Sequence, residues 1–379
     1  MKPTPRILHV VATLGYGGVA QMLWRHYRRL DRTRCQFDFI THGQTEDFHA
    51  EIQDLGGRVY HLDTPGRLGL RRYVQSLRHI IHDHGPYTAI HAHTNYQCGI
   101  VGLAAWLEGV ATRIAHIRGV LVDDRNRRRL PLYRALIRLS CNTWLACSRE
   151  AGLHYYGRRP FRIIPNAVDL DAFEADTTSA VTMRAALGIA DDAMILGHVG
   201  RFSPEKNHAF LLILLQHIRS KGVSACLILV GDGPLMPSIA EQVAALGLES
   251  HVRILGVRRD IPAILRAMDV LLLPSFSEGM PNVVIEAQAA GLPTLITDTI
   301  TRDVDLGVGL VHPCPLQFPS RWIDTMLAIR DRPRPDRVCI RHAIHQAGFD
   351  LNGSVENLLA IYGLVNATVP TPSVHSTQR

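Results

Sequence analysis

Short apolar runs alternate with segments of helical periodicity along nearly the whole chain, and this alternation restricts the fold more than any other feature. Arg6–Val11, Phe37–Ile40, Val59–Leu62, Ala89–His93, Arg113–His116 and Trp144–Ser148 read as strands, and Phe161–Asp169 as the last strand and exit of the series. Helices are expected between them, over Gln21–Leu30, Leu70–His82 and Gly99–Leu107. A second series begins after an aspartate-bearing stretch that ends at Asp192. It comprises Met194–Gly200, Leu227–Val230, Val252–Gly256, Val270–Pro274 and Leu295–Asp298, the last closing its sheet. Unbroken apolar strands separated by helices belong to parallel sheets buried on both faces. Such doubly wound α/β sheets hold ligands at the carboxyl ends of their strands. A chain of 379 residues is long enough for two such domains. The expected division is 1–175, 176–345, a terminal helix within 346–366, and a polar, Pro/Thr/Ser-bearing tail over 367–379 that is too poor in apolar residues to fold.

The most informative single stretch is Ser277–Gly291. It follows the apolar run Val270–Leu273, carries Gly279-Met280-Pro281-Asn282, and continues into an apolar helix ending at Gly291. Proline suits a helix start and glycine the position past its end. The first amides of that helix, near Gly279 to Asn282, have no intrahelical partner and form a site for an anion such as a diphosphate. Two carboxylates frame the stretch. Glu286 stands among Val283, Val284, Ile285, Ala287, Ala289 and Ala290, where an unpaired charge is costly, so a polar partner such as a ribose is expected. Eight helical positions rise about 12 Å, more than the roughly 5–9.5 Å that separates a glycosidase pair. Two carboxylates gripping different parts of one long ligand fit better.

This Glu-x7-Glu spacing with Gly-Met-Pro between resembles the donor-site motif of glycosyltransferase family 4, and the resemblance covers nearly the whole chain. It implies a GT-B fold, with two Rossmann-like doubly wound domains facing across a cleft, and transfer with retention of anomeric configuration. In that scheme Glu278 holds donor-sugar hydroxyls, Glu286 the ribose, and the amides of Gly279, Met280 and Asn282 beside Pro281 face the diphosphate. Arg201 and Lys206, in Arg-Phe-Ser-Pro-Glu-Lys-Asn after a strand, neutralise the diphosphate, and Arg258 meets the base. The departing phosphate takes the acceptor proton, with Arg201, Lys206 and the helix amides stabilising the charge that develops on it. The donor is expected to be a nucleotide-sugar, most simply a UDP-sugar. The first loop, the second strand and residues 294–305 look most like the subgroup that builds capsule and exopolysaccharide units. The terminal helix is expected to return to the N-terminal domain.

The loop Gly15-Tyr16-Gly17-Gly18-Val19-Ala20 also matches a dinucleotide fingerprint. That motif wants an acidic residue ending the second strand, and here Asp38 sits mid-strand. By resemblance, Gly17 and Gly18 instead let backbone approach the donor phosphates and acceptor. His116 ends a strand where the family places a histidine near the reacting sugar. The family's usual continuation is Ser-His, whereas this chain has Ile117-Arg118. Pro165-Asn-Ala-Val-Asp169 likewise carries Ala167 in place of the family's glycine. The candidate catalytic set is therefore His116, Arg201, Lys206 and Glu278. His91 and His93 share a strand face, but two histidines without a third are poor evidence for a metal. Asp303-Val-Asp305 and Asp169-Leu-Asp171 do not follow a strand of a single nucleotide-binding domain. No metal or other cofactor is expected. Rival readings are a GT-B sugar-nucleotide epimerase or phosphorylase, or a non-catalytic sugar-nucleotide-binding subunit.

Charge is uneven. Residues 1–168 carry 24 Lys and Arg against 12 Asp and Glu, a net +12, and the remainder nets −5. A basic half points to an anionic partner. No zinc-finger spacing or RNA-binding signature points to nucleic acid. The segment Arg125–Arg138 alternates arginines with Leu132, Tyr133, Leu136 and Ile137, the pattern of a helix lying on an anionic membrane. A lipid-linked glycan is the expected acceptor. No run approaches the roughly 20 apolar residues of a span, the opening Met-Lys-Pro-Thr-Pro-Arg does not read as a signal peptide, and seven scattered cysteines fit reduced thiols. The expected location is cytoplasmic, in peripheral contact with the inner face of the membrane.

Overall fold

The computed structural model of the chain describes residues 3–15, 17–43, 47–119, 128–175 and 179–366. It divides into two compact units, residues 1–167 with 351–379, and residues 168–350.

Unit 1 is a seven-stranded sheet ordered β3-β2-β1-β4-β5-β6-β7. Its strands are β1 (Arg6–Val11), β2 (Gln36–Thr41), β3 (Val59–His61), β4 (Ala89–Ala92), β5 (Thr112–Ile117), β6 (Thr143–Ala146) and β7 (Arg162–Ile163). Every pairing is parallel. β7 is shorter than the apolar run 161–169 implies, because Pro165 has no amide to give a ladder. Ile7, Val11, Phe37 and Phe39 are buried with Leu23 and Tyr27 of the helix Gly18–Arg29. The final helix, Leu351–Ile361, completes this core with Val355, Leu358 and Leu359. Ser354 of that helix bonds His26 at 2.8 Å and Glu356 pairs with Arg34.

Unit 2 is a six-stranded parallel sheet ordered β10-β9-β8-β11-β12-β13. Its strands are β8 (Met194–Val199), β9 (Ala225–Val230), β10 (Val252–Ile254), β11 (Val270–Leu273), β12 (Thr294–Thr297) and β13 (Val311–Cys314). Leu295–Asp298 does not close this sheet as expected, since β13 lies outside it. Pro313 interrupts the apolar signal of β13, and an edge strand tolerates proline. The unit also begins earlier than residue 176. The helix Leu170–Ala175 belongs to it, and the Phe173 carbonyl accepts from Arg266 at 3.0 Å.

None of the seven cysteines is disulfide-bonded, and all but Cys339 are buried. Among the described residues no helix is long and apolar enough to cross a membrane. Asp123–Arg127 and the tail 367–379 lie outside the described residues.

Candidate active site

In unit 2 the strand order reverses between β8 and β11, the switch point at which open α/β sheets bind ligands. The loops leaving these two strands are tied together. Phe276 N donates to Glu205 O at 2.8 Å and Asn207 Nδ2 to Pro274 O at 3.3 Å. The central contact is Lys206 Nζ to Glu278 Oε1 at 2.5 Å, joined by Ser275 Oγ to the same oxygen at 2.6 Å. The side chains of Lys206 and Glu278 are 16% and 11% exposed, so the pair is largely withdrawn from water. Both donors converge on Oε1. Lys206 and Glu278, expected to grip different parts of the donor, here neutralise each other. A diphosphate arriving beside Lys206 would therefore share the ammonium with Glu278.

The helix Asn282–Ala289 starts after Pro281, with Gly291 past its end at φ 69, as the punctuation predicts. Glu286 is 6% exposed, which removes the solvated-surface reading of that carboxylate. Met280 and Pro281 are buried, whereas Arg201 is exposed. Glycine is required where the neighbouring loops meet. A Cβ on Gly231, at φ 136, would lie 2.0 Å from the Gly200 carbonyl oxygen. Beneath Gly200 the buried ring of His198 bonds the Leu272 carbonyl at 2.8 Å, and burial pushes its pKa down to about 3. His198 and Ser275 hold this site together and were not singled out from the sequence. Arg258 is placed differently from expectation. It leaves the edge strand β10 and forms a fork with Asp260 of its own loop, at 2.8 and 2.6 Å.

In unit 1 the switch point falls between β1 and β4. Gly17 caps the helix Gly18–Arg29, is exposed, and would meet nothing within 4 Å if it carried a Cβ. This open space at the helix start agrees with a loop free to approach a ligand. His116 is not at an open rim. It is fully buried, and its Nδ1 lies 2.9 Å from His91 Nε2. The physical reason is strand pairing: on three adjacent strands His9 pairs with His91, and His116, two residues past Ile114 which pairs with His91, lies on the same face and stacks on the His91 ring. His91 Nδ1 in turn lies 2.8 Å from the hydroxyl of Tyr362, which follows the final helix.

The structure also supplies the third histidine that the sequence lacked. His9, His91 and His93 bring ring nitrogens within 4.8 Å of one another, a candidate metal cluster. The hydrogen bonds argue for another role. Arg118 donates to His93 Nδ1 from Nε at 3.2 Å and Nη2 at 3.1 Å. Guanidinium only donates, so His93 carries its proton on Nε2, which lies 3.1 Å from His9 Nδ1. That proton occupies the lone pair a metal would need, and the guanidinium puts positive charge beside any ion. Burial holds these rings neutral, pushing His9 to about 3 and His91, His93 and His116 well below the usual imidazole value.

Two parallel-sheet units of this topology form the GT-B architecture. The crystal structure of Anabaena HepE in complex with UDP and glucose superposes with a TM-score of 0.74 at 20% identity, covering 95% of this chain and all of that one. WaaG, a glycosyltransferase of lipopolysaccharide biosynthesis, superposes at 0.68 and 17% identity over 95% of this chain and all of its own. The chain thus has the GT-B fold. Residues 16–172 match the model of Glycosyltransferase Family 4, and residues 193–323 that of Glycosyl transferases group 1. The EpsF protein of Bacillus subtilis (strain 168) is 37% identical over 95% of this chain and 96% of its own length. The chain belongs to glycosyltransferase family 4. A further relative, the Escherichia coli UDP-Gal:alpha-D-GlcNAc-diphosphoundecaprenol alpha-1,3-galactosyltransferase, is 29% identical over 56% of this chain and 58% of its own.

Proposed function

We propose that this glycosyltransferase moves a sugar from a UDP-sugar, with retention, to a glycan carried on a lipid diphosphate, as a step in exopolysaccharide or capsule assembly. The observation that carries the donor half of this reading is the coupled pair of loops at the unit 2 switch point. It combines Lys206, Glu278 and the start of the helix Asn282–Ala289, which are the groups a sugar diphosphate requires. Arg201 and Lys206 stabilise the charge developing on the departing phosphate, Glu278 orients the sugar and Glu286 holds the ribose. None of these roles needs a metal.

The acceptor half is supported by the Escherichia coli relative, whose name gives a diphosphoundecaprenol-linked sugar as its acceptor. A surface feature agrees with a lipid-borne substrate. The helix Leu130–Ser140 buries only Ile137 and Ser140, and leaves Leu132 and Leu139 65% and 77% exposed. It packs on the helix Cys98–Leu107, where Gly99 and Gly102 leave no room for a side chain against Leu136 and Ser140. Trp106 and Leu107 of that second helix are also exposed. Apolar side chains among arginines on the basic half of the chain suit peripheral docking at the inner face of an anionic membrane.

The test is a mass-spectrometric screen of UDP- and GDP-sugars against short-prenyl diphosphate glycans. One UDP-sugar should give a product heavier than the acceptor by one sugar residue, with the anomeric configuration of the donor kept. Transfer from GDP-sugars alone, or inversion, would overturn the donor and stereochemical reading.

A further inference from the structure

Arg118 stands where the family's usual strand-end sequence is interrupted, and its side chain meets only neutral acceptors. It follows β5 directly, two positions beyond the buried His116. Its guanidinium contacts His93 Nδ1 from two nitrogens, and Nη1 donates to Asn166 Oδ1 at 2.9 Å. Its backbone amide donates to Asn95 Oδ1 at 2.8 Å. Asn95 itself adopts a left-handed conformation at φ 50, so the Arg118 position is held by a locally constrained loop.

All these acceptors are neutral. Some partly buried cations of the chain face carboxylates, as Arg6 faces Asp38, Arg184 faces Asp269 and Lys206 faces Glu278, and others, Arg113, Arg134 and Arg253, are held by backbone carbonyls; Arg118 is held by the side chains of His93 and Asn166. Among the described residues no carboxylate pairs with Arg118. Burial lowers its pKa to about 10, and it remains cationic at neutral pH. Arg118 is partly buried, and a partly desolvated cation with only neutral partners gains from an anion that completes it. Guanidinium carries five N–H donors. The three nitrogens use one each here, so at least two donors remain. Arg118 also lies at the carboxyl edge of the unit 1 sheet. The glycine loop leaves β1 at the same edge, two strands or about 10 Å away.

We propose that Arg118 is an anion-binding residue that receives a diphosphate group of a substrate in unit 1. The diphosphate comes from the lipid-linked acceptor or from the donor, and this choice of sources rests on the function proposed above.

The first arm of the test does not depend on that function. Inorganic pyrophosphate is titrated calorimetrically into the full chain carrying Lys206→Ala, which weakens the donor site, with and without Arg118→Gln. Glutamine keeps an amide donor for His93 but removes the charge. Affinity should fall roughly tenfold or more, as expected for loss of a charge-assisted bond. Arg118→Lys should retain binding within a few-fold, which a purely structural role would not predict. Equal pyrophosphate affinity with and without Arg118→Gln, at unchanged thermal midpoint, overturns the proposal. If the glutamine variant does not fold, pyrophosphate binding by the lysine variant takes its place, and loss of that binding in a folded protein overturns the proposal equally. The second arm assigns the source. A raised KM for the diphosphate acceptor with UDP affinity kept identifies the acceptor, and weakened UDP affinity identifies the donor. Pyrophosphate binding that depends on Arg118, without transfer to any lipid-linked acceptor, would uphold this site and refute the function proposed above.

Discussion

Acid should unfold unit 1 cooperatively, well above the pH at which most carboxylates protonate. The perturbation is a fall from pH 7.5 to 4.5. His9, His26, His91, His93 and His116 are each no more than 5% exposed. Burial is the largest cause of the lowered pKa in all five, with His9 pushed to about 3 and His26 to about 4. A base whose folded pKa lies below its unfolded value leaves the unfolded chain binding more protons. Stability is therefore fully present above pH 6.5 and is lost as pH falls towards the folded values. At pH 5.5 each such ring shifts the balance by about 1.4 kcal/mol towards unfolding, and the five together by about 7 kcal/mol. Whole domains are stable by about 5–15 kcal/mol, so unit 1 should lose its fold between about pH 5.5 and 4.5. Unit 2 has two comparable rings, His198 and His208, and should be less sensitive. The assay is urea unfolding at several pH values, followed by far-UV circular dichroism and tryptophan fluorescence. Trp24, Trp106 and Trp144 report on unit 1 and Trp322 on unit 2. Unit 1 tryptophans that stay native to pH 4, or a free energy that does not change between pH 7 and 5.5, would refute the account of a neutral, sequestered histidine stack.

Lys206→Ala should lower kcat by about 10²–10³ through loss of transition-state charge stabilisation, with the circular dichroism spectrum kept. Glu286→Gln should chiefly weaken UDP binding in calorimetry; near-normal kinetics in both variants would remove the basis for the site. Transfer should survive EDTA if Lys206 and Arg201 balance the diphosphate as proposed; activity lost in chelator and restored by manganese counts against this. The protein should float with anionic but not neutral liposomes and be released by high salt, and Arg127, Arg128 and Arg129 replaced together by Ser should float less; wild type remaining in the soluble fraction at low salt would favour a soluble acceptor.

Features set by neighbouring residues were legible without coordinates. The parallel α/β class follows from apolar runs spaced by helical segments. The helix after β11 starts just after Pro281 and stops before Gly291 because proline and glycine act on their own backbone dihedrals. The burial of Glu286 was readable because its flanking residues occupy most of its helix surface. The helix Leu130–Ser140 and its exposed leucines follow from the same local periodicity.

What remained hidden depends on which strand lies beside which. Lys206 and Glu278 are 72 positions apart and meet because β8 and β11 are neighbours at the reversal of strand order. His9 is 84 positions from His93, and Tyr362 is 271 from His91. Their contacts exist only after β1 pairs with β4 and the final helix packs on unit 1. Arg118 was legible only as a departure from the family's Ser-His continuation. Its neutral surroundings come from His93 and Asn95 after β4 and from Asn166 after β7, two segments that parallel pairing gathers at one sheet edge. Hydrogen-bond direction and desolvation, which decide the chemistry of a histidine or an arginine, belong to these nonlocal neighbours and are settled by the tertiary structure.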